Sequence, residues 1–296
     1  MSVKDKIVGF AGLGVMGRPM AENSLKAGFK LNVYNRTCAR TEDLTRQGAT
    51  AYKTPCELAQ NSDIVIVMVT GAPELEEVIS RDDGVASGLS DGKTVINMST
   101  VSPEATRIAA EMVESRQASF IDAPVSGSKV PAEQGTLVVL AGGDSDLIDD
   151  HQELLLCMGK KVIRCGDIGS GTDMKLLVNM LLGNMMASFC ESIVFGQKHG
   201  LDYDTLLETI SAGALNSPLY SLKGEKIKAG DFEKHFSIDL LFKDLNLALT
   251  ESDRQGIPLG VTSACREVFS GAVGMDLGDQ DMCALIKFYR RLAEKK

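Results

Sequence analysis

Residues 10–17 read Phe10-Ala11-Gly12-Leu13-Gly14-Val15-Met16-Gly17, a G-x-G-x-x-G run between the apolar stretch Ile7–Ala11 and a helical pattern, Met16–Ala27. In a strand–loop–helix setting each glycine has its own mechanical reason. The first permits a tight turn, the second lets the backbone approach a pyrophosphate, and the third lets the helix pack close to the sheet. The helix N-terminus then faces the anion with its unpaired N–H groups. The run alone is a weak signal, because glycines make turns wherever they fall; the strand before it and the helix after it give it meaning. A dinucleotide is therefore expected against Gly12, Leu13, Gly14, Val15, Met16 and Gly17.

The same alternation continues outward from this loop. Val- and Ile-rich runs at Leu31–Tyr34, Ile64–Val69, Thr94–Met98, Ser119–Asp122, Leu137–Ala141 and Lys161–Arg164 read as strands covered on both faces. Between them lie helical patterns at Thr41–Gln47, Pro55–Gln60, Pro73–Ser80, Pro103–Ser115 and Asp146–Met158. Alternating β and α elements predict a mainly parallel, doubly wound α/β sheet of Rossmann type. After Gly169-Ser170-Gly171 the periodicity is helical to the end, with helices expected at Thr172–His199, Tyr203–Ala212, Ile238–Gln255, Val261–Ala272 and Gln280–Glu294. The expected division is a nucleotide-binding domain over residues 1–167 and an all-helical substrate and oligomerisation domain over 168–296.

Composition narrows the class. The 296 residues are 44% hydrophobic and 24% charged, which argues against a disordered or fibrous chain. A net charge of −9 argues against an extended nucleic-acid surface. The most apolar stretch, Leu176–Phe189, reads as too short for a bilayer span and is interrupted by Asn179 and Asn184. The N-terminus lacks a cleavable secretory layout, so no membrane or export role is expected. Seven scattered cysteines without a Cys-x-x-Cys pair suit a reducing, cytoplasmic compartment. The three histidines form no ligand cluster, so no metal site is expected. Neither a nucleophile elbow nor a P-loop occurs.

The end of the second strand decides the cofactor. An NAD site usually offers an acid roughly 20 residues beyond the glycines, to hold the ribose 2′-hydroxyl. Here the residues are Asn35-Arg36-Thr37. Neutral Asn35 does not repel a 2′-phosphate, Arg36 offers a charge-assisted bidentate contact, and the Thr37 hydroxyl supports it. NADP(H) is the expected cofactor.

Three further stretches carry chemistry. Lys175 and Asn179 share a helix face, flanked at the same spacing by Gly171 and Gly183, which reads as room for a bulky group. Desolvation draws a lysine toward the range where it transfers protons efficiently near neutral pH. A lysine snorkelling to water fits the same spacing. Asp122-Ala123-Pro124-Val125-Ser126-Gly127-Ser128 follows a strand at the sheet edge where ligands bind. Its hydroxyls and the N–H groups of Gly127 and Ser128 suit a carboxylate, although Pro, Ser and Gly also make plain turns. Thr100 ends another strand at that edge, where it reaches ligand unless it or Ser102 only caps the next helix. Lys243-Asp244, taken alone, reads as a solvated helix face.

Together these blocks resemble the β-hydroxyacid dehydrogenase family. The GLGxMGxxM core from Gly12, Asp122-Ala123-Pro124-Val125-Ser126-Gly127, Gly171-x-x-x-Lys175-x-x-x-Asn179 and Lys243-Asp244 stand in the family's order and at compatible spacing. The resemblance implies Lys175 as the catalytic lysine with Asn179 beside it. It implies Ser126, Gly127 and Asn179 as substrate contacts, beside Ser128 from the loop reading above, Thr100 and Lys243 as contacts to cofactor or substrate, and Phe236 near the nicotinamide. Met68 and Val69, where the Ile64–Val69 strand ends, join the cofactor contacts. Asn35-Arg36-Thr37, Pro131-Ala132-Glu133-Gln134-Gly135-Thr136 and Asn216-Ser217-Pro218 look most like the glyoxylate/succinic semialdehyde reductase branch. That branch reduces short aldehyde acids with NADPH, and a homo-oligomer is expected. The alternatives are a 3-hydroxyisobutyrate-type or tartronate-semialdehyde-type enzyme, and an NADPH-binding sensor without turnover. Asn97 stands where the family commonly has Asp.

Overall fold

The computed structural model describes residues 3–294. The chain divides into two compact units, the first ending at Leu176 and the second beginning at Leu177. The first is built on β1 (Ile7–Ala11), α1 (Gly17–Lys26), β2 (Lys30–Tyr34), α2 (Glu42–Arg46), β3 (Thr50–Ala51), α3 (Pro55–Gln60), β4 (Ile64–Val67) and α4 (Ala72–Ser80). It continues through β5 (Thr94–Asn97), α5 (Pro103–Glu114), β6 (Ser119–Asp122), β7 (Val125–Ser126), α6 (Lys129–Glu133) and β8 (Leu137–Gly142). The last elements are α7 (Ser145–Asp150), α8 (Gln152–Met158), β9 (Gly159–Gly166) and the start of α9 (Ser170–Lys198).

The strands form one sheet in the order β3-β2-β1-β4-β5-β6-β8-β7, with β9 also on β8. From β3 to β6 every pairing is parallel; β8 runs antiparallel to β6 and β7 and parallel to β9. Strands β4 and β5 are buried at every residue, which is why β4 is a continuous apolar run rather than an alternating one, whereas β5 sets Val95 and Ile96 between the buried polar residues Thr94 and Asn97. Strand order reverses between β1 and β4, so the ends of β1 and β4 open a crevice at the switch point. Two apolar clusters cover the two faces of the sheet, one around Phe10, Met20 and Ile66, the other around Val65, Val95 and Phe120.

The second unit contains the rest of α9, then α10 (Tyr203–Ala212), α11 (Pro218–Ala229), α12 (Ile238–Gln255), α13 (Gly260–Val273), a 3-10 turn (Met282–Ala284) and α14 (Leu285–Glu294). Its core gathers Phe189, Ile193, Leu241, Phe269 and Leu285.

Five readings change. The Gln280–Glu294 pattern is helical only from Leu285, after the separate 3-10 turn Met282–Ala284 that Asp281 caps. The pattern Asp146–Met158 is two helices, broken at His151, whose backbone (φ −102°, ψ 0°) leaves the helical range. Helix α11 was absent from the periodicity because its inward face carries Lys223, Gly224 and Lys226 beside Ile227. Val125–Ser126 is a short strand on β8, not a plain turn. Helix α9 runs 29 residues through Asn179 and Asn184, so it is not too short: by length and composition alone it is long and apolar enough for a span, a test that a buried core helix also meets. Of its most apolar window, 44% is buried inside the protein.

Candidate functional site

At the switch point the three glycines take distinct roles. Gly12 sits at φ +101°, and a Cβ there would lie 2.2 Å from the Met68 carbonyl oxygen. A Cβ on Gly17 would lie 2.0 Å from the Gly12 carbonyl oxygen, so only glycine lets α1 start this close to the turn. Around Gly14 the space is open within 4 Å, as a backbone that must receive a ligand requires. No side chain caps the start of α1. This loop, with its open glycine and uncapped helix start, fits a dinucleotide pyrophosphate.

The Asn35 side chain does more than avoid repulsion. Its Oδ1 accepts from the Leu13 N–H at 2.9 Å and its Nδ2 donates to the Thr37 carbonyl at 2.9 Å, tying the end of β2 to the glycine loop. Gly12, Gly14, Asn35, Arg36, Thr37, Met68 and Val69 line one cavity, so these expected cofactor residues do come together. Arg40, Glu74, Glu77 and Arg81 line it too. Arg40 escaped the sequence reading, although a second arginine four residues after Arg36 was a readable signal. Arg36 is well exposed and lies 3.5 Å from Glu77, which also pairs with Arg81 at 3.1 Å.

At the neighbouring sheet edge, Ser102 rather than Thr100 caps α5, accepting from the Ala105 N–H at 3.1 Å. Asn97 is fully buried; its Oδ1 accepts from the Ser99 N–H at 3.1 Å, and the Ser99 hydroxyl accepts from the Val69 N–H at 3.0 Å. Gly127 has φ +132°, and a Cβ there would meet the Leu137 side chain at 2.6 Å. Ser126 is half-buried on β7, and Ser128 precedes α6 without capping it.

Lys175 is buried, 6% exposed, on the second turn of α9. The expectation that Gly171 leaves room for a bulky group is corrected: a Cβ there would lie 2.4 Å from the Leu140 carbonyl oxygen, so the space belongs to β8. Asp122, at the end of β6, is fully buried, and burial pushes its carboxyl up to about 6 against the bonds it accepts from Thr172 and Gly169. Nothing in the sequence reading gave Asp122 a role.

In the second unit, Asn179 is 2% exposed and its Nδ2 donates to Asp244 Oδ2 at 2.6 Å. The other Asp244 oxygen pairs with Lys243 Nζ at 2.9 Å. Asp244 is itself buried, so the solvated reading of this helix face is wrong for Asp244, whose side chain lies 65 residues from its partner Asn179. Gly183 likewise leaves room for the protein itself, with Leu245 3.0 Å from where its Cβ would be. Phe236 is half-buried; its N–H donates to Asp281 Oδ2 at 3.2 Å just before Ser237 caps α12. Among the described residues no three His, Cys, Asp or Glu side chains gather as a metal site.

Two family models match the chain. The NAD binding domain of 6-phosphogluconate dehydrogenase matches residues 7–166, and the NAD-binding domain of NADP-dependent 3-hydroxyisobutyrate dehydrogenase matches residues 169–289. Glyoxylate/succinic semialdehyde reductase 1 of Arabidopsis thaliana is 36% identical, over 95% of this chain and 97% of that protein. Cytokine-like nuclear factor N-PAC of Homo sapiens is 34% identical over 96% of this chain, but over only 52% of its own length. Among solved structures, Mycobacterium tuberculosis 3-hydroxyisobutyrate dehydrogenase with L-serine superposes with a TM-score of 0.89 at 26% identity, covering 98% of this chain and 100% of that one.

Proposed function

The chain belongs to the β-hydroxyacid dehydrogenase family, NAD(P)-dependent oxidoreductases of the 3-hydroxyisobutyrate dehydrogenase type that act on CH–OH groups, and from that premise we propose that it reduces short semialdehyde acids. The substrates proposed are succinic semialdehyde, giving 4-hydroxybutyrate, and glyoxylate, giving glycolate. The carrying observation is a buried lysine, Lys175, followed one helical turn later by an amide, Asn179, that Asp244 fixes at 2.6 Å.

The cofactor is NADP(H), and when bound it supplies the hydride that reduces the carbonyl carbon. The loop Gly12, Leu13, Gly14, Val15, Met16 and Gly17 would cradle its pyrophosphate, with the N–H groups at the start of α1 facing it. The Gly12 and Leu13 N–H groups stay bonded to Tyr34 and Asn35, and Met68 and Val69 would flank the pyrophosphate. Arg36, Thr37 and Arg40 hold the 2′-phosphate. Lys175 Nζ gives a proton to the alkoxide oxygen as negative charge develops there. Asn179, held by Asp244, orients the lysine and the carbonyl. Ser126 and Ser128 with the Gly127 N–H bind the remote carboxylate and set the approach angle. Thr100, Lys243 and Phe236 complete the contacts to substrate and cofactor.

In this reading residues 1–167 serve the nucleotide and 168–296 serve the substrate and the oligomer. The protein acts in the cytoplasm as a homodimer or homotetramer, without nucleic-acid or membrane partners. Exposed Met174, Leu177, Leu181 and Phe195 on α9 support self-association.

A rival reading, an NADPH-binding sensor, has one observation in its favour: the likeness to a protein named as a nuclear factor. One assay separates the readings. Glyoxylate, succinic semialdehyde, tartronate semialdehyde and methylmalonate semialdehyde are each offered with NADPH and with NADH. The highest kcat/KM is expected for the first two with NADPH. Preference for methylmalonate semialdehyde with NADH moves the protein to the 3-hydroxyisobutyrate branch, and no turnover at all supports the sensor.

A further inference from the structure

Asp122 closes β6, and all three bonds its buried carboxylate accepts come from the start of α9. Oδ2 accepts from the Gly169 N–H at 3.2 Å and the Thr172 N–H at 2.8 Å, and Oδ1 accepts from the Thr172 hydroxyl at 2.8 Å. The Thr172 hydroxyl also meets the Thr106 hydroxyl of α5 at 2.9 Å, and both threonines are fully buried. A helix start has unpaired N–H groups that normally find a cap within their own segment. Here the acceptor comes from a strand 50 residues earlier. Gly171 packs against the same corner, since a Cβ there would lie 2.4 Å from the Leu140 carbonyl oxygen, 2.7 Å from the Asp122 carbonyl oxygen and 3.0 Å from Asp122 Oδ2. The helix start therefore has little freedom to slide or rotate. Lys175 stands three residues after Thr172, on the adjoining turn of the same face.

We propose that Asp122 and Thr172 are positioning residues for the reduction: their buried bonds seat the first turn of α9 on β6 and so set where Lys175 delivers its proton. The proposal rests on the reductase reading. A displacement of about 1 Å at such a group costs about 100-fold in rate.

The test combines steady-state kinetics at neutral pH with amide hydrogen exchange on the cofactor-free protein. Thr172→Val removes the hydroxyl bonds at nearly constant volume, and Asp122→Ala removes both acceptor oxygens and with them all three bonds. Both should lower kcat about 10- to 100-fold while KM for succinic semialdehyde and Kd for NADPH stay within about 3-fold. Thr172→Ser keeps the hydroxyl, and Asp122→Asn keeps the geometry, because the threonine hydroxyl reverses its role to accept from the amide. Both should remain within about 3-fold of wild type. Amides of residues 169–173 should exchange at least about 10-fold faster in Thr172→Val and Asp122→Ala. Should Asp122→Ala fail to fold, Thr172→Val carries the test. Faster exchange with kcat unchanged in Thr172→Val makes the bonds merely structural and overturns the proposal. A wild-type protein inactive on every aldehyde overturns the reductase reading and this role with it, whereas an active wild type with an unaffected Thr172→Val overturns this role alone.

Discussion

The nucleotide half and the helical half hold polar groups out of water with different materials. Around the glycine loop the work is done by backbone: a carbonyl 2.2 Å from an absent Cβ, an open approach at Gly14, and one amide side chain, Asn35, tying two loops. In the helical half it is done by buried charges. Lys223 and Asp281 pair at 2.7 Å with side-chain exposures of 4% and 0%, and Asp281 also accepts from the N–H groups of His235, Phe236 and Cys283. Burial pushes the Asp281 carboxyl up, but Lys223 beside it brings it net below the usual range. Asp244 gathers Asn179 and Lys243 in the same manner. A backbone-built site fails only where a side chain is added; a charge-built one fails wherever a partner is removed.

The sharpest way to break this contrast lies at Lys175. Lys175→Ala should lose about 10²–10⁴-fold in turnover, with NADPH affinity by nicotinamide fluorescence held within a few-fold. Lys175→Arg should not rescue it, because arginine keeps its proton near neutral pH. Wild-type turnover in the alanine variant would reduce Lys175 to a packing residue.

Next in size is the buried pair. Asp281→Ala leaves the Lys223 ammonium and three N–H groups without their acceptor, so urea unfolding should show a loss of about 3–5 kcal/mol. A loss under about 1 kcal/mol, the range of exposed pairs, would remove the distinction between the halves.

Asp122 gives the nucleotide half its own charge-dependent feature. Its folded carboxyl titrates near 6, above the ordinary 3.8, so the folded state binds that proton more tightly than the unfolded chain. The contribution to stability is full below about pH 4 and is lost as pH rises through about 6, a difference of about 3 kcal/mol. Asp122→Asn should flatten that part of the pH–stability curve. Identical slopes for the variant and the wild type between pH 4 and 6 would contradict the assignment.

The smallest effect belongs to an exposed residue. Arg36→Ala should weaken NADPH about 10- to 150-fold, the worth of a charge-assisted phosphate contact, with little change for NADH and none in the urea midpoint. Equal weakening of both cofactors would move Arg36 away from the 2′-phosphate.

Legibility followed the range of the interaction. Strands Ile7–Ala11 and Ser119–Asp122 and helices Pro55–Gln60, Tyr203–Ala212 and Ile238–Gln255 stood in the sequence with their observed bounds, since a local period encodes each. Helix α11 did not, because lysines that end up buried look polar until a partner is known. Strands β3 and β7 are two residues each, too short for any period to register.

By itself the sequence determined the α/β order, the glycine turn and the lack of an acid after β2, all set by backbone sterics and by neighbours within a few residues. Only the tertiary structure decided that Asn35 braces the glycine loop, that Gly171 and Gly183 accommodate the protein's own atoms, and that Asp122 and Asp244 are buried acceptors. The reason is physical: whether a carboxylate is solvated or buried depends on which distant donors the fold brings to it, and Asp122 finds its donors 47 and 50 residues away, while Asp244 adds to the adjacent Lys243 an amide donor 65 residues away.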